Sequence, residues 1–143
     1  MSKTKTLSVI AFSSDFGKIH YALATAAAAS ATNMNVTIMF TMGAIRAVTM
    51  DSSGVPGWGA LTDAKTKTEG FGQDEINQSK GVAGFEELFT ACSSMGVKFL
   101  ICEMGLKAEG IQAEELRKDV HFEPGGLVTF LNSADAEGNI VFI

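Results

Sequence analysis

The apolar positions of the chain fall into short blocks separated by helical stripes. Leu7-Ser8-Val9-Ile10-Ala11-Phe12 is a compact apolar run closed by Ser13-Ser14-Asp15, the length and ending of a buried strand. Ser14 or Asp15 is placed to cap the helix that follows. That helix spans about Gly17 to Ala31. Its Ala-rich body has high helix propensity, and Ile19, Leu23 and Ala26/Ala27 share one face. Asn33-Met34-Asn35 interrupts it, Val36 to Phe40 reads as a second strand, and Thr41-Met42-Gly43 as its terminal loop. Strand, helix and strand in so few residues make a βαβ unit, with parallel pairing and a right-handed crossover.

Ala44 to Met50 starts a second helix, and then the pattern stops. From Asp51 to Lys80 Gly, Ser, Thr and Lys are frequent, no period is sustained, and the only Trp, Trp58, stands alone. A segment of that kind inside a compact domain is expected to be a mobile or an interface loop. Helical order resumes near Gly84, with Phe85, Leu88, Phe89 and Cys92 on one stripe and Glu86 and Glu87 in the first turn. Gly96 ends that helix, and Val97 to Cys102 is a third strand. A short helix is expected over about Gln112–Lys118, with Glu114 and Glu115 in its first turn. Val120-His121-Phe122 reads as a fourth strand, Pro124-Gly125-Gly126 opens a last helix to about Ala134, and Asn139 to Ile143 is a fifth strand. With no repeat or linker, residues 1–143 are expected to form a single α/β domain: a flavodoxin-like, doubly wound sheet of about five mainly parallel strands.

Composition narrows the function. The net charge is −5 and no Lys/Arg cluster offers a phosphate footprint, which argues against nucleic acid. No apolar run reaches the roughly 18–20 residues of a membrane span, and Leu7–Phe12 is too short for a signal-peptide core. A cytoplasmic location is expected, with two reduced thiols rather than a disulfide. Hydrophobic residues make up 46% of the chain, enough to hint at subunit contacts as well as a large core.

Cys102 is the first candidate for chemistry, because ligands and reactions collect beyond the carboxyl ends of strands in an open α/β sheet. Backbone amides of the next turn would favour its thiolate, the nucleophilic form, while Glu103 would oppose it unless it points away. The competing reading makes Cys102 a small buried hydrophobe. Cys92 belongs to the Phe85/Leu88/Phe89 stripe and is expected in the core. Ser14, Asp15, Lys18, Thr41 and Gly43 lie at the ends of the first two strands, on the same edge as Cys102; His20, early in the first helix, is placed to reach it. His121 reads as structural. Two scattered His and two scattered Cys make no metal site. Gly54-Val55-Pro56-Gly57-Trp58-Gly59 has the spacing GxxGxG and follows no convincing strand, GxxxxGK[ST] is missing, and no GxSxG appears. No cofactor is expected, and a nucleotide or flavin site ranks third.

These residues, in this order, resemble the DsrE/DsrF-like sulfur-relay family, in the DsrE-like branch sometimes labelled peroxiredoxin-like. The resemblance rests on Ser13–Lys18 before the Ala-rich helix, on Val36–Gly43, on Phe85-Glu86-Glu87-Leu88 through Cys102-Glu103-Met104 to Gly110-Ile111 and Glu114-Glu115-Leu116, and on Gly125–Leu131 with Ile140–Ile143. It covers most of the chain outside residues 51–80. It implies a flavodoxin-like subunit assembled as a homotrimer or hexamer. Cys102, matching the family cysteine, would carry sulfane sulfur as a persulfide between donor and acceptor proteins or small thiols, and backbone amides and Lys18 would steady the anion. Met104 and Gly105, beside the thiol, join the pocket residues. Here Met104-Gly105-Leu106-Lys107 replaces the Met-Ser-Met type run of relatives, and no peroxidatic motif is present. The alternative is a non-catalytic module of the same fold that binds a small anion or a partner protein.

Overall fold

In a computed structural model, whose described residues are 5–135 and 137–143, the first apolar run forms strand β1 (Thr6–Ala11). Asp15 caps helix α1 (Phe16–Ala31), its carboxylate accepting a hydrogen bond from the Lys18 backbone amide at 2.9 Å. Strand β2 (Asn35–Phe40) follows, and a 3-10 turn over Met42–Val48 replaces the expected second helix. Further on come helices α2 (Gly70–Ser79) and α3 (Phe85–Ser94), strand β3 (Lys98–Cys102) and helix α4 (Glu103–Glu109). Strand β4 (Phe122–Gly125), helix α5 (Leu127–Ser133) and strand β5 (Asn139–Phe142) close the fold. All four strand pairings are parallel, in the order β4-β3-β2-β1-β5.

That order decides how the two faces are covered. Three successive connections step from β1 outward to β4. With right-handed crossovers they pass over one face, where Val9, Ile38, Phe40, Phe99 and Ile101 meet Phe16, Ile19, Leu23, Phe85 and Phe89 in the main core. The β4-to-β5 connection runs the other way and crosses the opposite face. Among the described residues only α5 lies over the sheet there, and the buried cluster is Met39, Leu100, Cys102 and Phe130, with Ile10 against it. A parallel sheet is normally covered on both faces. Here the second face keeps Ile140, Phe142, Leu127, Val128 and Leu131 exposed, Val128 at 74% and Phe142 at 65%.

The segment expected to be a mobile or an interface loop contains regular elements and a buried anchor. Residues 51–80 hold a 3-10 turn over Gly57–Ala60 and the whole of α2. Trp58 is buried, stacked 4.7 Å from Phe85, and its indole N–H donates to Glu86 at 2.6 Å. Arg117 completes the clamp. Its side chain is 2% exposed, lies 4.2 Å from the centre of the Phe89 ring, and donates two hydrogen bonds to Glu86 (2.9 and 2.7 Å) and two to Asp119 (2.8 and 2.7 Å). Near Arg117 the expected helix over 112–118 is only a 3-10 turn, Ala113–Glu115, closed by a Gln112/Glu115 capping box. The fourth strand starts at Phe122 rather than Val120, and takes in Pro124 and Gly125, which were expected to open the last helix.

The hydrogen bond from Arg117 holds the Glu86 carboxyl below the usual carboxylate range, with the Trp58 N–H assisting and burial opposing; the same guanidinium lowers Asp119. A carboxyl lowered in the folded state binds fewer protons there than when unfolded, so its stabilisation is present above the unfolded value and is lost as pH falls through the folded one. Acid titration should therefore release Trp58, seen as a red shift of its emission. Glu86→Ala, which leaves Arg117 to Asp119 alone and the Trp58 N–H without its acceptor, should lower stability by about 1–3 kcal/mol at neutral pH and flatten the acid dependence in denaturant melts.

Candidate functional site

Two places on the carboxyl edge of the sheet are candidates for function. The first is the end of β3. Cys102 is the last residue of the strand and the residue before α4, and its exposure is 0%. Its register partner on β4 is Gly125, and Met39, Leu100 and Phe130 share its buried cluster. The thiol expected at an accessible rim is thus covered by apolar side chains within a single chain, and added subunits would only cover it further. Phe130 is the one buried residue of α5, so the cover over this face hangs on one ring.

Cys92 is buried differently. It sits in the main core, its S–H placed 3.5 Å from the Leu23 carbonyl oxygen, and burial pushes its thiol up to about 11. It is the core cysteine that its helical stripe predicts.

The second place lies beyond the ends of β1 and β5. A cavity of about 710 Å³ lined by Thr49–Ser52 and Glu114–Asp119 shares no lining residue with it. The crevice at β1 and β5 has about 850 Å³ and is lined by Phe12, Ser13, Ser14, Lys18, Met42, Gly43, Glu109, Phe142 and Ile143. It adjoins a second hollow of about 560 Å³ that shares Ser13, Ser14, Gly43 and Glu109 and adds Asp15, Arg46 and Lys67. Ser14, Lys18 and Gly43, expected around the thiol, therefore meet here without Cys102. Asp15 is committed, accepting from the amides of Lys18 (2.9 Å) and Ala64 (2.5 Å).

The remaining candidates have other partners. His20 does not reach the strand ends. Its ring is buried, 2.8 Å from the Ala83 carbonyl oxygen and 5.8 Å from Phe16, because it falls on the inward face of α1. Thr41 is buried, and Gly105 packs against it: a Cβ on Gly105 would come within 2.6 Å of the Met42 backbone nitrogen and 3.0 Å of the Thr41 hydroxyl. Gly105 thus lets α4 lie on the 42–48 turn. Gly43 does the same against Ser14, where a Cβ would stand 2.8 Å from the serine Cβ. Met104 is exposed next to Cys102. Helix α4, unforeseen in the sequence, starts just after Cys102, is about 10 Å long and ends at Glu109, which lines the crevice.

The DsrE/DsrF-like family signature matches residues 9–142. The chain belongs to the DsrE/DsrF-like family. Two solved structures share its fold. The protein of unknown function MTH1491 from Methanobacterium thermoautotrophicum has a TM-score of 0.62 at 10% identity, over 99% of this chain and 100% of that one. The ychN protein from E. coli has a TM-score of 0.53 at 15% identity, again over 99% and 100%. No curated protein matches the sequence. Among the described residues no His, Cys, Asp and Glu group is arranged to hold a metal ion, and no helix is long and apolar enough to cross a membrane.

In the native protein neither thiol should react with iodoacetamide at neutral pH on the timescale of minutes, and both should react after denaturation. Peptide mass mapping of the labelled cysteines checks this.

Proposed function

We propose that this DsrE/DsrF-like chain carries sulfane sulfur on Cys102, in a state reached when α5 swings off the end of β3. The observation that carries the reading is the position of the thiol. It closes β3 at the carboxyl edge of a fold whose family is associated with sulfur relay, under a cover with a single buried anchor. Withdrawing the Phe130 ring forfeits roughly 2–3 kcal/mol of burial, which leaves on the order of 1% of molecules open at any moment. That suffices for a transfer step gated by a partner. In it the Cys102 thiolate attacks the outer sulfur of a donor persulfide. The donor S–S bond breaks, the donor thiolate leaves and takes a proton, and Cys102 becomes the persulfide. An acceptor thiolate then removes the outer sulfur and returns the Cys102 thiolate, with no net oxidation. Donor and acceptor are proteins or small thiols, and the setting is the reducing cytoplasm.

The bare second face supports self-association. Exposed Val128, Leu131, Ile140 and Phe142 lie on the side of the sheet that α5 leaves uncovered, and a second copy would bury them, in a trimer or hexamer. The burial of Cys102 favours one other reading, in which the thiol only packs and the chain is a non-catalytic binding or assembly module.

Polysulfide treatment followed by intact-mass measurement separates the two. The relay predicts one added sulfur on the wild type, faster uptake by Phe130→Ala, and none by Cys102→Ser. A Phe130→Ala protein that is folded by circular dichroism and takes up no sulfur would leave the binding module standing. Light scattering should show an assembly larger than one chain, and Val128→Asp together with Ile140→Asp should reduce it to monomers.

A further inference from the structure

Helix α5 carries two different sets of side chains on one short rod. Inward it sends Phe130, its one buried residue, into the cluster with Met39, Leu100 and Cys102. Outward it shows Leu127, Val128 and Leu131, exposed like Ile140 and Phe142 of β5. The helix has seven residues, about 10 Å of backbone. Whatever fixes the outward row therefore fixes the ring over the thiol as well.

The outward row also favours one kind of occupant. Neither 127–134 nor 138–143 contains Asp, Glu, Lys or Arg, in a chain with 16 acidic and 11 basic residues. A partner bringing charges would bury them unpaired. A second copy of this chain brings none, and contacts between identical chains are apolar and depleted of charge.

Under the helix there is no spare room. Met39, Cys102 and Phe130 have no exposed surface, and Leu100 almost none. Gly125, the register partner of Cys102, lies so close to α5 that a Cβ on it would stand 3.2 Å from the Thr129 Cβ. A persulfide lengthens the cysteine by one sulfur, about 2 Å along the new S–S bond. A close-packed cluster takes no extra heavy atom without moving a neighbour, and α5 is the neighbour held by a single ring.

We propose that assembly and sulfur loading oppose each other through α5. A second copy seated on the outward row holds the helix down over Cys102, and a sulfur carried on Cys102 lifts the helix and weakens that seat. The second half rests on the relay reading; the first holds for any reagent that must reach the thiol. Such coupling is reciprocal, so each event alters the other by the same factor per chain. The free subunit is then the form that loads, and the assembled form keeps its thiol closed.

Light scattering over a dilution series of the full chain fixes the concentration at which it assembles. Iodoacetamide labelling of Cys102 over hours, read by peptide mass mapping, should drop to about a tenth of its dilute rate once about nine-tenths of chains are assembled. Cys92, in the main core, should label at one rate throughout. Val128→Asp with Ile140→Asp, folded by circular dichroism, should label Cys102 at the dilute rate at every concentration. For loading, the Cys102 thiolate takes one sulfur from polysulfide and a polysulfide one atom shorter leaves, with no net oxidation. The loaded chain should assemble only at about tenfold or more higher concentration, and dithiothreitol should reverse the shift.

Equal labelling of Cys102 in free and assembled wild type overturns the proposal, as does a chain that stays monomeric throughout. Sulfur uptake that leaves the assembly concentration unmoved overturns the antagonism and spares the relay. Labelling that follows assembly, with no sulfur uptake at any concentration, supports closure by a second copy and removes the relay reading instead.

Discussion

The handedness of the crossovers is the constraint on which the rest of this structure depends. Three connections in one direction stack α1, α3 and the turns around α4 against one face, and the single reversed connection carries α5 alone to the other. One seven-residue helix cannot cover five strands. The same reversal sets β5 beside β1 and leaves the thin cover over Cys102 and the exposed row on α5 and β5. They are consequences of one topological step rather than independent features.

A second interaction ties the long 51–80 segment to the rest of the fold through Trp58. Glu86 receives Trp58 and Arg117 at once, and Arg117 spans to Asp119 across the face of Phe89. The clamp joins the segment after the 42–48 turn, α3, and the segment leading to β4. Its polar members would each be costly to bury alone; together they satisfy one another. The strap so held supplies Ala60, Leu61, Thr62, Ala64 and Lys67 to the hollow beside α1. Rigidity there therefore bears on the shape of the crevice.

The parts of the fold legible in the sequence are those whose inward residues are apolar. β1, α1, β2, α3 and β3 lie within a residue or two of their expected bounds, since their buried positions are Val, Ile, Leu, Ala and Phe in strand or helix period. Helix α2 escaped because it turns Gly70, Gln73 and Asp74 inward. Asp74 accepts the Phe85 amide at 2.9 Å and Gln73 accepts the Thr66 hydroxyl at 2.8 Å, so its inner face has no hydrophobic signal. Helix α4 was hidden by Gly105, a poor helix former kept by the close approach to Met42. His20 carried a readable signal, one position past Ile19 on the buried stripe. The depth of Cys102 carried none, because it depends on which face the last crossover takes.

The two cysteines show how burial can mean different things in one fold. Both have no exposed surface. Cys92 lies between α1 and α3, where reaching water requires separating two long helices and opening the main core, so its elevated pKa describes a permanent state. Cys102 lies under one ring of a short helix whose neighbours Leu127, Val128 and Leu131 already face outward. Opening there would be a local event of a few kcal/mol, within the range of native-state fluctuations, and would leave the main core intact. Of the two settings only the second leaves a thiol within reach of a local opening. Any partner that binds the exposed side of α5 better in its lifted position would shift that equilibrium by the difference in affinity alone.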